Sequence, residues 1–168
     1  GNGVTYSGFV NSENSTALGG TLSYTGNSQN AINAGTYTIT PQGYTSNNYD
    51  ISYVNGALTV NKATLNVTAN NQNKTYGDSN PTLSYTITGY VNNETSSAHT
   101  GAPTISTTAT QSSNVGSYTI TSAANNLAST NYQFNYVDGS LTINQRPITV
   151  TAANKTKTYG DSNPSLTY

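Results

Sequence analysis

The stretch Thr75-Tyr76-Gly77-Asp78-Ser79-Asn80-Pro81 returns residue for residue as Thr158-Tyr159-Gly160-Asp161-Ser162-Asn163-Pro164, 83 residues further along. Its chemistry is that of a turn. Gly accepts a positive φ, Asp and Asn bond to their own backbone, and Pro fixes φ where an extended segment begins. Strand-like sequence follows both copies, Pro81-Thr82-Leu83-Ser84-Tyr85 and Pro164-Ser165-Leu166-Thr167-Tyr168. The spacing predicts an all-β chain of tandem immunoglobulin-like β-sandwich repeats of about 83 residues, arranged as a rod.

Composition narrows the function classes. Of 168 residues only 7% are charged, against about 25% in ordinary soluble domains. The net charge of −1 gives no basic footprint for nucleic acid or an anionic membrane. The chain has 14 Tyr but no Cys, Trp or Met, which excludes disulfides and thiolate metal sites. No apolar run approaches the roughly 20 residues of a membrane helix. No secretory leader opens the sequence, and an origin in a longer precursor is expected. At 33% apolar, each unit can bury only a modest core. Tyr rings and stacking against neighbouring units are expected to supply the rest.

Along the chain, three pieces are expected: 1–61, a first repeat lacking its opening strands; 62–144, a complete β-sandwich repeat; and 145–168, the opening strands of the next. Gly8-Phe9-Val10 matches Gly89-Tyr90-Val91, and Gly35-Thr36-Tyr37-Thr38-Ile39-Thr40 matches Gly116-Ser117-Tyr118-Thr119-Ile120-Thr121. The latter pair alternates with period two, as a half-buried strand does. A strand is also expected over residues 18–24, and a loop over 41–48. Tyr49-Asp50-Ile51-Ser52-Tyr53 alternates, and Val54-Asn55-Gly56 then reads as a hairpin turn; residues 132–143 repeat the pattern around Val137-Asp138-Gly139. Only Asn61-Lys62-Ala63 and Asn144-Gln145-Arg146 separate one unit's last strand from the next unit's first, a joint too short for free rotation. Residues 69–74 and 152–157 read as polar turns, and 93–110 as short edge strands. Two origins are weighed for the permuted boundaries: a window of a long array, which is preferred, or a subunit whose residues 147–168 complete the open first repeat of another copy.

Lys74-Thr75-Tyr76-Gly77-Asp78-Ser79-Asn80-Pro81, with Leu83-Ser84-Tyr85, Gly89-Tyr90-Val91-Asn92, Gly116-Ser117-Tyr118 and Asn131-Tyr132, resembles the MBG repeats of the YGX type. The likeness covers essentially the whole chain. It implies repeats of large bacterial surface or secreted proteins, including filamentous-haemagglutinin-like adhesins, and hence an extracellular or cell-surface location. It carries over no catalytic residue. Without Cys or Trp, the disulfide-and-Trp core of antibody domains does not apply.

No catalytic, cofactor-binding or metal-binding residue is assigned, and no cofactor is expected. His99, the only histidine, reads as a surface residue. Among carboxylates only Asp78/Asp161 and Glu13/Glu94 recur, too few for a tight calcium site; Asp78 and Asp161 read as turn residues capping backbone N–H groups. Lys74/Lys157 read as solvated lysines rather than as partners in an isopeptide bond. Asn14, Asn66, Asn73, Asn93 and Asn154 fit the glycosylation pattern, with Asn66 pointing outward. The expected function is a structural stalk or filament-forming repeat of an extracellular adhesin, and not an enzyme. Its partners are neighbouring repeats or identical subunits end to end, with neither nucleic acid nor membrane insertion. The alternative is a carbohydrate-binding adhesive module, whose partner is a host or surface glycan stacked on Tyr. An ice- or mineral-binding face of Thr-x-Thr strands (Thr38/Thr40, Thr86/Thr88, Thr119/Thr121, Thr149/Thr151) is a third reading.

Overall fold

A computed structural model describes residues 3–166. Among the described residues ten strands run in chain order: β1 (Gly19–Thr25), β2 (Gly35–Thr45), β3 (Gly56–Val60), β4 (Ala63–Ala69), β5 (Gln72–Thr75), β6 (Tyr85–Thr88), β7 (Thr104–Thr107), β8 (Gly116–Ala123), β9 (Tyr132–Val137) and β10 (Gly139–Asn144). Three sheets result, ordered β1-β2-β3, β6-β4-β9 and β5-β10-β8-β7. The last two pack face to face as a sandwich, which is the second unit.

The sandwich core is built on β4. Its alternation sends Leu65, Val67 and Ala69 inward, where they are essentially without exposure. Ile120 of β8 and Leu141 and Ile143 of β10 cluster there with Ala69, and the ring of Tyr132 is buried as well. Full burial of each large apolar side chain contributes about 1.5–3 kcal/mol. Ser122 ties the layers together: buried on β8, its hydroxyl donates across the core to the Val67 carbonyl at 3.0 Å. On the outer face of the β4–β9 pair, Gln133 donates to Thr64 and Asn135 to Asn66.

The two expected hairpins do not form, and this is the main correction to the sequence reading. β9 and β10 are not paired with each other. β9 lies parallel to β4, from Ala63↔Tyr132 to Thr68↔Val137, and β10 lies parallel to β5, from Leu141↔Gln72 to Asn144↔Thr75. A partner offset of 69 residues holds in both ladders, and it spans the switch through the bond from Ser140 N to Asn71 Oδ1. The two chains therefore cross together from one sheet to the other, β4 into β5 and β9 into β10. Asp138-Gly139 marks a crossing, not a reversal. The side chain of Asp138 accepts from the Ser122 N–H at 2.8 Å. Gly139 passes so close to β4 that a Cβ on it would stand 2.4 Å from the Ala69 carbonyl oxygen. Gly serves here for close approach rather than for a reversed turn.

The first unit holds only part of this frame. Its sheet β1-β2-β3 corresponds by sequence to β7-β8-β10. Residues 4–7 and 49–53 correspond to β6 and β9, yet neither forms a ladder. The alternation of 49–53 was expected to make a strand. In the second unit β9 pairs with β4 alone, and the first unit has no strand in that place. Val54-Asn55-Gly56 likewise closes no hairpin, since β3 pairs only with β2.

Other boundaries move. The loop expected over 41–48 is strand as far as Thr45, with Tyr24↔Pro41 in register; Pro41 is tolerated because the β3 ladder ends at Ile39. The first strand starts at Gly19 rather than Leu18, and Gly19-Gly20 belongs to an irregular ladder. The polar stretch 69–74 contains β5 rather than only a turn. The strand expected from Pro81 to Tyr85 begins at Tyr85. β7 lies at the edge of its sheet, as expected for 93–110. Residues 147–166 follow the first joint's pattern in sequence but form no ladder; of the strand expected over 164–168, Thr167 and Tyr168 lie outside the described residues.

Candidate functional site

Polar chemistry concentrates at the seams between strands and units. The Thr75–Pro81 motif is a clasp at one end of the sandwich. β5 ends at Thr75, and a turn closes from Asp78 N to Thr75 O at 3.0 Å, with Gly77 at φ +85°. Lys74 points inward from β5 and is buried, contrary to the solvated lysine expected. Its ammonium donates to the Asp78 and Thr110 carbonyls at 3.1 and 2.7 Å, and these two acceptors make its burial tolerable. Asn80 donates to the Ala109 carbonyl at 2.6 Å and Gln111 to the Gly77 carbonyl at 2.9 Å. Asp78 is not the backbone cap expected: it pairs with Arg146, whose Nε also donates to the Tyr76 carbonyl at 2.6 Å. In the second copy Asp161 does cap, accepting from the Thr158 N–H, while Lys157 is exposed and donates to the Asp161 carbonyl and to Asn163.

At the other end lies the joint between units. Only Asn61 and Lys62 separate β3 from β4. Asn131 braces this joint: its Oδ1 accepts from Ala34 N at 2.9 Å and its Nδ2 donates to Asn33 Oδ1 at 3.0 Å, while its carbonyl accepts from Ala63 N. Lys62 donates to the Ser129 carbonyl at 2.7 Å. One asparagine thus binds the end of the first unit and the opening strand of the second. Sequence reading missed it, although an Asn preceding the Tyr of each unit, Asn48 and Asn131, was there to be seen.

The recurring glutamates take tyrosine partners. Tyr132 donates to Glu94 at 2.6 Å and accepts from Val91 N at 3.0 Å; Tyr49 donates to Glu13 and accepts from Val10 N at 3.4 Å. Donation to the carboxylate holds both phenols above the usual tyrosine range, because ionising the donor would set two anions against each other. Tyr6 is pushed up to about 12, first by its hydrogen bond with Tyr44. Tyr37 and Tyr118 anchor the loops before their own strands by donating to the Asn33 and Asn114 carbonyls.

His99 is not on the surface as expected. It is half-buried, stacked on Tyr90 and edge-on to Phe134, and both ring nitrogens are buried without a hydrogen-bond partner. Its neighbours Tyr85, Tyr90 and Glu94 border an open depression of about 400 Å³. Among the described residues no group of three His, Asp or Glu side chains converges as a metal set would. Asn66 stands on the outer face as expected, but its side chain is engaged by Asn135. The Thr-x-Thr pairs fall on different sheets, Thr86/Thr88 on β6 and Thr119/Thr121 on β8.

A larger opening lies in the first unit. A groove of about 660 Å³ runs between residues 3–9 and 49–56, floored by Leu22, Ile39 and Pro41. Its walls, 4–7 and 49–53, correspond in sequence to β6 and β9, the strands that flank β4 in the second unit.

Strand ladders and seams of this kind define an all-β, sandwich-like fold. The family model for the MBG domain (YGX type) matches residues 2–59 and 65–142, and the chain belongs to that family. No curated protein and no solved structure matches the chain.

Proposed function

We propose that this chain is a structural repeat segment of an extracellular bacterial adhesin, a stalk or filament that acts through strand pairing and stiff stacking of its units rather than by catalysis. The joint carries this reading. Two linking residues and the Asn131 brace leave the units little freedom to rotate. Low charge, and a surface of Ser, Thr, Asn and Tyr without Cys, suit a fibrous extracellular segment. Small-angle scattering tests the reading: an elongated particle of fixed length is expected, lengthening evenly as units are added. Profiles of two independently tumbling domains would overturn it.

The depression beside His99 favours a second, adhesive role. Tyr85 and Tyr90 offer aromatic faces next to the Glu94 carboxylate, an arrangement that can stack and hydrogen-bond a sugar ring. Binding on a glycan array that is abolished by Tyr90→Ala would support it, and a folded chain without hits would remove it.

A further inference from the structure

The parallel double strand of the second unit ties the way into that unit to the way out of it. The chain enters at Ala63, where β4 begins, and leaves at Asn144, where β10 ends. Between them β4–β5 and β9–β10 run side by side in the same direction. Bonds between the two lines recur from end to end. At the joint Ala63 N donates to the Asn131 carbonyl at 2.9 Å. On the outer face Gln133 reaches Thr64 at 3.0 Å and Asn135 reaches Asn66 at 2.8 Å. At the crossing Asn71 accepts from Ser140 N at 2.8 Å. At the clasp Tyr76 N donates to the Asn144 carbonyl at 2.9 Å, and Arg146 holds both the Tyr76 carbonyl and Asp78.

This arrangement gives tension a direction. A pull along the chain draws Ala63 back along β4 and Asn144 forward along β10. Parallel strands drawn from opposite ends slide past each other lengthwise. The evenly spaced bonds of a parallel ladder are then strained together, and none gives way until many do. Prising the same strands apart from one end strains a single rung at a time. Both strands are also inner strands. β4 lies between β6 and β9, and β10 lies between β5 and β8, so neither slides without shearing a ladder on each side. Sliding must in addition drag the buried Leu65, Val67, Leu141 and Ile143 through a close-packed core.

We propose that the second unit is a mechanical clamp, in which β4–β5 and β9–β10 carry tension along the chain in shear and the side chains of Asn66, Asn71, Gln133 and Asn135 act as cross-ties between them. The inference deepens the stalk reading and rests on it for the source of the tension.

Single-molecule pulling on the full chain tests it. The sequence has no cysteine, so paired Cys substitutions set the direction of the pull. Asn61→Cys with Gln145→Cys loads the clamp lengthwise. Ser79→Cys with Gln145→Cys opens it from the clasp end. All three positions are exposed and lie outside the strands. At one pulling speed the lengthwise pair is expected to need about three times the force of the opening pair, and to release residues 63–144 in one event. Equal forces, or lengthwise unfolding in a series of small steps, would overturn the inference. Asn71→Ala with Asn135→Ala removes two cross-ties at the surface. It is expected to lower the lengthwise force by about a quarter and to leave the opening force unchanged. An equal fall in both directions would overturn the cross-tie assignment. The first unit carries no load when the chain is held between residues 61 and 145. Independently tumbling units in scattering would therefore remove the rod and leave the force ratio standing, and equal forces would leave the rod.

Discussion

The two units carry nearly the same sequence pattern and differ in how far it is buried. Leu141 of β10 has no exposure, while its counterpart Leu58 of β3 is 38% exposed. Tyr132 is buried, and Tyr49 only partly. Ile120 is fully buried in a cluster with Ala69, Leu141 and Ile143, whereas Ile39 lies on the floor of an open groove. The difference comes from β4 and β5, which close one sandwich and have no counterpart over the other. Alternation in a strand therefore states which side chains can be covered; a neighbouring strand decides whether they are.

This contrast can be broken residue by residue. The largest effect is expected at the core. Leu141→Ala should destabilise the second unit by about 3 kcal/mol, and Leu58→Ala the first by about 1 kcal/mol or less, both read by urea unfolding. Equal losses would mean that the first unit is already closed. Next come the close-approach glycines. Gly139→Ala is expected to cost about 2 kcal/mol, because Ala69 must move, whereas Gly56→Ala should be neutral or gain up to about 0.5 kcal/mol. Lys74→Ala leaves two carbonyls without their donor and should cost about 1–2 kcal/mol; Lys157→Ala, in the exposed copy, should leave unfolding unchanged.

The smallest effect is a pH dependence. Both Tyr132 and Tyr49 have phenol pKa values raised by their glutamate partners, so folding favours the protonated phenol. Their contribution is fully present below the ordinary tyrosine pKa of about 10. It falls away as pH rises through the higher folded value. Stability should hold from neutral pH to about 9 and decline above 10, and Tyr132→Phe should flatten that decline. A decline of the same slope in the variant would assign the alkaline loss elsewhere.

Much of the second unit was legible in the sequence. The strands around Leu65, Ile120 and Leu141 follow from period-two patterns, and the clasp turn from Gly77, Asp78 and Asn80. The seams were far less so. Val137-Asp138-Gly139 carries a strong hairpin signature, yet here its glycine serves a crossing and its aspartate an inter-strand bond. Lys74 appeared solvated because its two carbonyl partners come from Asp78 and from Thr110, 36 residues away. His99 looked like a loop residue because Tyr90 and Phe134 are brought to it only by folding.

Sequence alone determined the period of the units, the all-β class, the faces of the main strands and the membership in the MBG family. Tertiary structure alone decided that β9–β10 runs parallel to β4–β5 through both sheets, that Asn131 braces the joint, and that residues 49–53 form no ladder. The reason is physical. Side-chain pattern records which face of a strand meets apolar surface, but the ladders are made by backbone N–H and C=O groups common to every residue, so the identity of the partner strand is fixed only when the chain packs.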